Sequence, residues 1–276
     1  MIIKDKKVVL GVTGAISAYK ALELARLLVK EEAVVWPVMT RSATEFISAL
    51  SLSTLAKNEV YTGLFELTGA SRISHIELAQ KADLIIAAPA TANLIGKVAG
   101  GIADDLLTTV IQAAAAPVLI APSMNTRMWD NPLVAANVER LKSLGYLFVG
   151  PCEGELACGY EGKGRLAPVE DILEAAEDAL QPKDLKGEKV LVTAGPTREA
   201  IDPVRYVSNA SSGRMGYAIA KAARRRGAEV VLVSGPSYLP RPSGIDFVPV
   251  TTAEEMNDAC IRYYPQSTIV IMAAAV

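Results

Sequence analysis

The sequence predicts an α/β fold, with a parallel-sheet domain followed by a second, incomplete α/β domain. Three observations carry this prediction. Short apolar runs alternate with helical patterns along most of the 276 residues. Hydrophobic residues make up 51% and aromatics only 5%, with Ala, Val, Ile and Leu abundant, which suits strands buried on both faces. The pattern of "KVVLGVTGAIS" (7–17) also restarts at "KVLVTAGPTRE" (189–199). Strands alternating with helices imply right-handed crossovers and a Rossmann- or flavodoxin-like sheet.

The elements follow in order. "KVVLGV" (7–12) reads as the first strand and "SAYKALELARLLVK" (17–30) as a helix that Ser17 would cap. "AVVWPVMT" (33–40) is a strand in which Pro37 suggests an edge. "ATEFISALSLSTLAK" is helical, "ADLIIAAPA" (82–90) is the third strand, and helices run from there to about residue 115. "PVLIAPSM" (117–124) and "YLFVG" (146–150) are strands around the helix "PLVAANVERLKSLG". Residues 150–166, "GPCEGELACGYEGKGRL", are rich in Gly and charge and read as a functional loop. The helix "PVEDILEAAEDAL" (168–180) closes a first domain at 1–180, and 181–188 reads as a linker. In the second domain, 189–276, three strands are clear, and "STIVIMAAAV" reads as a strand to the last residue. An α/β domain that stops on such a strand is expected to be a fragment, only partly folded or dependent on a partner.

The bulk numbers exclude several classes. A net charge of -2 and no polybasic tail offer nothing to nucleic acid. No apolar run approaches membrane-spanning length, and "MIIKDKKVVLGV" has no signal-peptide design. Three cysteines, at 152, 158 and 260, are too few for a disulfide framework, so a cytoplasmic protein is expected. With a single histidine, the cysteines also lack zinc-ligand spacing.

Several stretches carry candidate chemistry. "GVTGAISAYK" (11–20) sets a glycine turn between strand and helix, either an anion site or an ordinary tight turn. It lacks the dinucleotide fingerprint, and Thr40 ends the second strand where a ribose-binding carboxylate would stand, so FMN fits better than NAD. Thr91 and Asn93 follow the third strand, where α/β sheets bind ligands, although Asn93 also suits a helix cap. Asn125 sits among Met124, Met128 and Trp129, as an amide that grips a carboxylate or a ring carbonyl, or in a loop whose Met and Trp pack on the core. Cys158 stands on a glycine-rich flap as a candidate proton donor. His75, in "SRISHIELAQ", is the one imidazole, and a lone His is more often a surface or capping residue than a catalytic one.

Together, "GVTGAISAYK", "SHIELA", "APATANLIGKVAGGIADDLL", "PSMNTRMW" and "ACGYEGKGRL" resemble the FMN-dependent phosphopantothenoylcysteine decarboxylases, homo-oligomeric flavin-containing cysteine decarboxylases. "VLVTAGPTREAIDPVRYVSNASSGRMGYAIA" (190–220) resembles the start of phosphopantothenate–cysteine ligase, and the order matches the bifunctional bacterial enzymes of coenzyme A biosynthesis. The resemblance implies His75, Asn125 and Cys158 as active-site residue, carboxylate-binding amide and proton donor. It places FMN against Gly14, Ser17, Thr40, Thr91, Asn93 and Met124. It implies that FMN oxidises the thiol side of 4′-phosphopantothenoylcysteine to a thioaldehyde. CO2 then leaves to give an enethiol, which is reduced to 4′-phosphopantetheine.

For the ligase half, the resemblance implies that CTP activates 4′-phosphopantothenate for joining to cysteine, with Mg2+. Asn209 would steady the acyl-cytidylate, Arg205 would serve dimer contacts, and Gly195, Ser212, Gly213, Ala273, Ala274 and Ala275 would hold nucleotide. The family pattern continues past "AAAV" with an acidic metal-binding residue and a lysine loop, so little ligase activity is expected of this chain alone. Trimeric units with active sites between subunits, joined through ligase dimers up to a dodecamer, are implied as well. Two rivals stand beside this reading: an NAD(P)-dependent reductase, which would need a dinucleotide fingerprint, and a non-catalytic flavin-binding regulatory protein.

Overall fold

Val8, Leu10 and Val12 of the first strand point to one side of a sheet and Val9 to the other, each fully buried. This two-sided burial is what the apolar runs encode. The computed structural model describes residues 2–64, 75–155, 159 and 161–276, which fall into two compact units, 1–180 and 181–276. Among the described residues, no helix is long and apolar enough to cross a membrane.

The first unit opens with β1 (Lys7–Val12), α1 (Tyr19–Lys30), β2 (Val34–Met39) and α2 (Ala49–Ala56). It continues with α3 (His75–Lys81), β3 (Leu84–Ala90), α4 (Ala92–Ala99), α5 (Leu106–Ala113) and β4 (Val118–Pro122). Next come α6 (Thr126–Trp129), α7 (Pro132–Ser143), β5 (Leu147–Phe148), β6 (Cys152–Glu155), β7 (Glu161–Arg165) and α8 (Val169–Leu180). Among the described residues the main sheet has five parallel strands in the order β2-β1-β3-β4-β5. Leu24, Leu28, Leu52 and Ile172, from α1, α2 and α8, cover one face. Leu78, Leu94, Ile95, Leu107, Val110 and Leu141, from α3, α4, α5 and α7, cover the other.

Several expectations change. α1 begins at Tyr19 after a 3-10 turn, Ile16–Ala18, and its cap is Ala18, because the Ser17 hydroxyl is drawn away by Ser123. The segment 43–57 is not one helix: a 3-10 turn, Arg41–Glu45, precedes α2, which Ser48 caps. Residues 150–166 are not all loop, since β6 and β7 pair as an antiparallel hairpin. Pro37 does lie on an edge strand, β2.

The second unit holds β8 (Lys189–Ala194), β9 (Arg198–Ala200), β10 (Tyr206–Ser208), α9 (Arg214–Arg225), β11 (Glu229–Ser234), β12 (Asp246–Pro249), α10 (Ala253–Tyr263) and β13 (Ile269–Met272). Its described residues form a four-stranded parallel sheet, β12-β11-β8-β13, plus the β9–β10 hairpin. Val192 and Ala220 lie in the core beneath α9, and Leu191 and Met256 in the core beneath α10. The expected linker is tied into this unit by Asp184, which accepts two bonds from Arg226 at 2.8 and 2.5 Å, and by Leu185, half-buried against its core. β13 ends at Met272 rather than at the last residue, because Ala273 and Ala274 turn their N–H groups to the Thr193 hydroxyl, 3.1 Å each.

α9 lies unusually close to β8. A Cβ on Gly216 would stand 2.5 Å from the Ala194 Cβ and 2.7 Å from the Thr193 carbonyl. Gly216→Val is therefore expected to destabilise the second unit by about 1–3 kcal/mol through overpacking. The check is urea unfolding with separate probes for each unit, and an unchanged transition for the second unit would contradict this packing.

Candidate active site

A parallel sheet ordered β2-β1-β3 reverses its winding between β1 and β3, so the loops leaving these two strands part and open a crevice at their carboxyl ends. Thr13, buried just past β1, stitches the crevice: its hydroxyl donates to the Pro89 carbonyl at 2.7 Å and accepts the Thr91 N–H at 3.1 Å. Gly14 follows, so close to the loop after β2 that a Cβ would sit 2.5 Å from the Ser42 Cβ and 2.8 Å from the Ser42 carbonyl oxygen. Thr40 is held by its N–H to the Val12 carbonyl, 3.0 Å. Ser17 and Ser123, both buried, share a 2.7 Å hydroxyl contact that ties the loop after β1 to the loop after β4. Thr91 caps α4 by accepting the Leu94 N–H at 3.4 Å, so the cap is not Asn93, which is exposed in the first turn. Gly14, Ser17, Thr40, Thr91 and Asn93 thus gather at one edge among small side chains. Such a lining of glycine, alanine and hydroxyls can take a flat ring and a phosphate.

His75 opens α3, the helix that leads into β3, and is half-buried. The start of β3 is marked by the Asp83 N–H bonding the Lys7 carbonyl at 2.8 Å.

Asn125 caps the short α6, its Oδ1 accepting the Arg127 N–H at 2.9 Å, which fixes the orientation of the amide. Met124 and Trp129 pack on the core beneath, while Met128 does not and is 47% exposed. The Met124 N–H bonds the Gly164 carbonyl of β7 at 3.0 Å, so the hairpin is fastened to the Asn125 loop. Cys158 lies outside the described residues. In the last turn of α4, Lys97 bridges Asp104 (2.7 Å) and Asp105 (3.2 Å), and its hydrogen bond holds the Asp104 carboxyl below the ordinary range. Asp105 caps α5 in a reciprocal box with Thr108, so the α4–α5 connection is braced at both ends.

In the second unit three glycines shape the turn between β8 and α9. Gly195 (φ +74) makes the bend after β8, Gly213 (φ +76) opens α9 with space for a Cβ only 3.1 Å from the Gly195 nitrogen, and Gly216 permits the close helix packing. Ser212 adjoins, its carbonyl accepting the Ser237 hydroxyl at 3.1 Å. Ala275 exchanges bonds with this turn: its N–H reaches the Gly195 carbonyl at 2.9 Å, and its carbonyl takes Asn209 Nδ2 at 3.1 Å and the Thr197 N–H at 3.2 Å. The N–H groups of Ala273, Ala274 and Ala275 are therefore all engaged within the chain. Arg205 bonds Asp202 through its side chain at 2.6 Å. The Asp202 carboxyl is held low first by the backbone N–H groups of Val204 and Arg205.

Sequence reasoning missed Thr13, Ser42, Ser123 and the β7 glycines. Thr13 stands beside the glycine turn in "GVTG", and Ser123 and the β7 glycines lie within "PSMNTRMW" and "ACGYEGKGRL"; only Ser42 falls outside every quoted motif.

Residues 2–181 match the Flavoprotein family and residues 185–276 the DNA/pantothenate metabolism flavoprotein C-terminal domain. The chain is 51% identical over 278 residues to the coenzyme A biosynthesis bifunctional protein CoaBC of Bacillus subtilis, covering 99% of this chain and 68% of that one. With its counterpart in Escherichia coli the identity is 47% over 277 residues, covering 100% and 68%. Among solved structures, a cysteine-to-serine mutant of PPC decarboxylase complexed with pantothenoylaminoethenethiol is similar at 34% identity and TM-score 0.57, covering 63% of this chain and 97% of that one. The FMN binding protein AtHal3 is similar at 35% and TM-score 0.55, covering 63% and 95%. Two family matches in tandem, and relatives this similar over nearly the whole chain, place the protein in the family of CoaBC bifunctional coenzyme A biosynthesis proteins.

Proposed function

We propose that the first unit uses FMN to decarboxylate 4′-phosphopantothenoylcysteine to 4′-phosphopantetheine. The second unit belongs to the CTP-dependent joining of 4′-phosphopantothenate to cysteine. The observation that carries the first assignment is the crevice between β1 and β3, where Gly14, Ser17, Thr40 and Thr91 meet beside the capped Asn125 loop.

The crevice fits FMN on its own terms, because its hydroxyls and small residues leave room for a ring and present donors to a phosphate. Gly14, Ser17, Thr40, Thr91, Asn93 and Met124 would hold it. When bound, FMN supplies a reversible two-electron oxidation of the thiol-bearing carbon, so that a C=S group can accept the electron pair released with CO2. Asn125 donates its amide N–H to the substrate carboxylate and holds that group in place until the C–C bond breaks. His75 takes the thiol proton, the work an imidazole does most readily near neutral pH. Cys158 returns a proton to carbon, a role suited to a thiol, which stays mostly protonated at pH 7 with a reference pKa of about 8.5. Met124 and Trp129 help keep water from the site.

In the second unit the α9 N-terminus beside Gly195 and Gly213 receives nucleotide phosphate, and Asn209 steadies the activated acyl group. Mg2+ would arrive largely on the phosphates. Among the described residues no group of three His, Cys, Asp or Glu could hold a metal ion, so no side chain is assigned to it. The assembly is a homo-oligomer of trimeric units, with active sites formed between subunits.

The test is one incubation. The purified protein should carry a flavin absorbance spectrum and release CO2 from 4′-phosphopantothenoylcysteine, and Cys158→Ala should stall before the final reduction. A colourless protein that FMN cannot reconstitute would favour the reductase, and a yellow one releasing no CO2 would favour a flavin carrier.

A further inference from the structure

We propose that Gly164, with Gly162 and Thr126, is a positioning element for Asn125: strand β7 docks on the Met124–Thr126 segment, and the dock sets where the amide stands. This rests on the reading of Asn125 as the carboxylate-binding residue.

The contact is closer than side chains would allow. A Cβ on Gly164 (φ +148) would lie 2.2 Å from the Met124 carbonyl oxygen and 3.4 Å from the carbonyl carbon of Asn125. A Cβ on Gly162 (φ +158) would lie 2.7 Å from Thr126 Oγ1 and 2.9 Å from its Cγ2. At Gly164 the obstacle is the backbone of Met124 and Asn125, so no rotamer change relieves it. The Met124 N–H to Gly164 carbonyl bond, 3.0 Å, exists only at this approach. The Thr126 hydroxyl, which faces Gly162 in this contact, is buried with no hydrogen-bond partner, a cost the dock carries. Asn125 lies between the two docked residues and has its amide fixed by the Arg127 N–H. Lifting β7 would therefore release the peptide units on both sides of it.

The test separates the carboxylate from the rest of the ligand. In a His75→Asn background, which should not turn over, perturbation of the flavin absorbance reports binding of 4′-phosphopantothenoylcysteine and of 4′-phosphopantetheine, which lacks the carboxylate. Gly164→Ala should keep its flavin, weaken the first ligand about tenfold and leave the second within about twofold. Asn125→Ala should show the same selectivity, and the double variant should be no worse than Asn125→Ala alone, because one acts through the other. Gly154→Ala strains the same hairpin but meets only the Arg165 side chain, and should show no selectivity. Equal weakening of both ligands by Gly164→Ala, or additive losses in the double variant, would overturn the proposal. If Asn125→Ala itself shows no selectivity, the reading beneath it fails instead. Should Gly164→Ala not fold, Thr126→Ala takes its place: a selective loss of about threefold supports the dock, and none refutes it.

Discussion

His75→Asn is expected to keep its FMN and to lose decarboxylation by at least about 100-fold, the usual loss when a positioned acid–base group is removed. The separation follows from the topology. The residues proposed to hold the cofactor leave β1, β2, β3 and β4, whereas His75 begins α3. The stitching that shapes the crevice, Thr13 to Pro89 and Thr91 and Ser17 to Ser123, involves nothing on that helix. Asparagine preserves size and a polar N–H but cannot take a proton at neutral pH. The flavin spectrum and the assembly should thus be unchanged, while CO2 release in a single turnover collapses. Full turnover by this variant would remove the imidazole from the chemistry and return it to the surface role that a lone histidine more often has.

The first sheet was readable because a two-sided core leaves unbroken apolar runs. β1, β3 and β4 have every residue but Lys7 buried, and each is announced by Val, Ile, Leu and Ala. The glycine turn and the motif order pointed to the carboxyl edge of this sheet, where the crevice between β1 and β3 opens. What escaped was held by distant partners or lay at the surface. Ser17 looks like a cap in its local sequence, yet its hydroxyl meets Ser123, 106 residues away. The β6–β7 hairpin, with its glycines and charges, reads as loop because its strands are shaped by docking rather than by an apolar stripe. β9 and β10 are three residues each and mostly exposed, so nothing in their composition marks them as strands. β13 stops early because Thr193, 80 residues upstream, captures the Ala273 N–H. Propensity and periodicity report burial along the chain but say nothing of which distant hydroxyl will claim a given backbone group.

Gly14→Val should give a colourless first unit. The glycine has no unusual backbone demand, so the effect is one of space: a Cβ at this position overlaps the Ser42 Cβ and its carbonyl oxygen. Neither neighbour can yield cheaply. The Gly14 side is pinned by Thr13, whose hydroxyl bonds both Pro89 and Thr91, and the Ser42 side is part of a 3-10 turn, Arg41–Glu45, that follows the paired edge strand β2. The strain must open the crevice between the loops after β1 and β2, where FMN is proposed to sit. Two measurements separate loss of the site from loss of the fold. A ligand present at 100 times its Kd stabilises its binding state by about 2.7 kcal/mol, so added FMN should raise the melting temperature of the flavin-stripped natural protein and leave that of the variant unmoved. The second unit, with its own cores beneath α9 and α10, should melt as before in both. If Gly14→Val were yellow, with FMN raising its Tm as in the natural protein, the close approach to Ser42 would be a feature of the turn alone, and the cofactor would have to lie farther along the edge, toward Thr91.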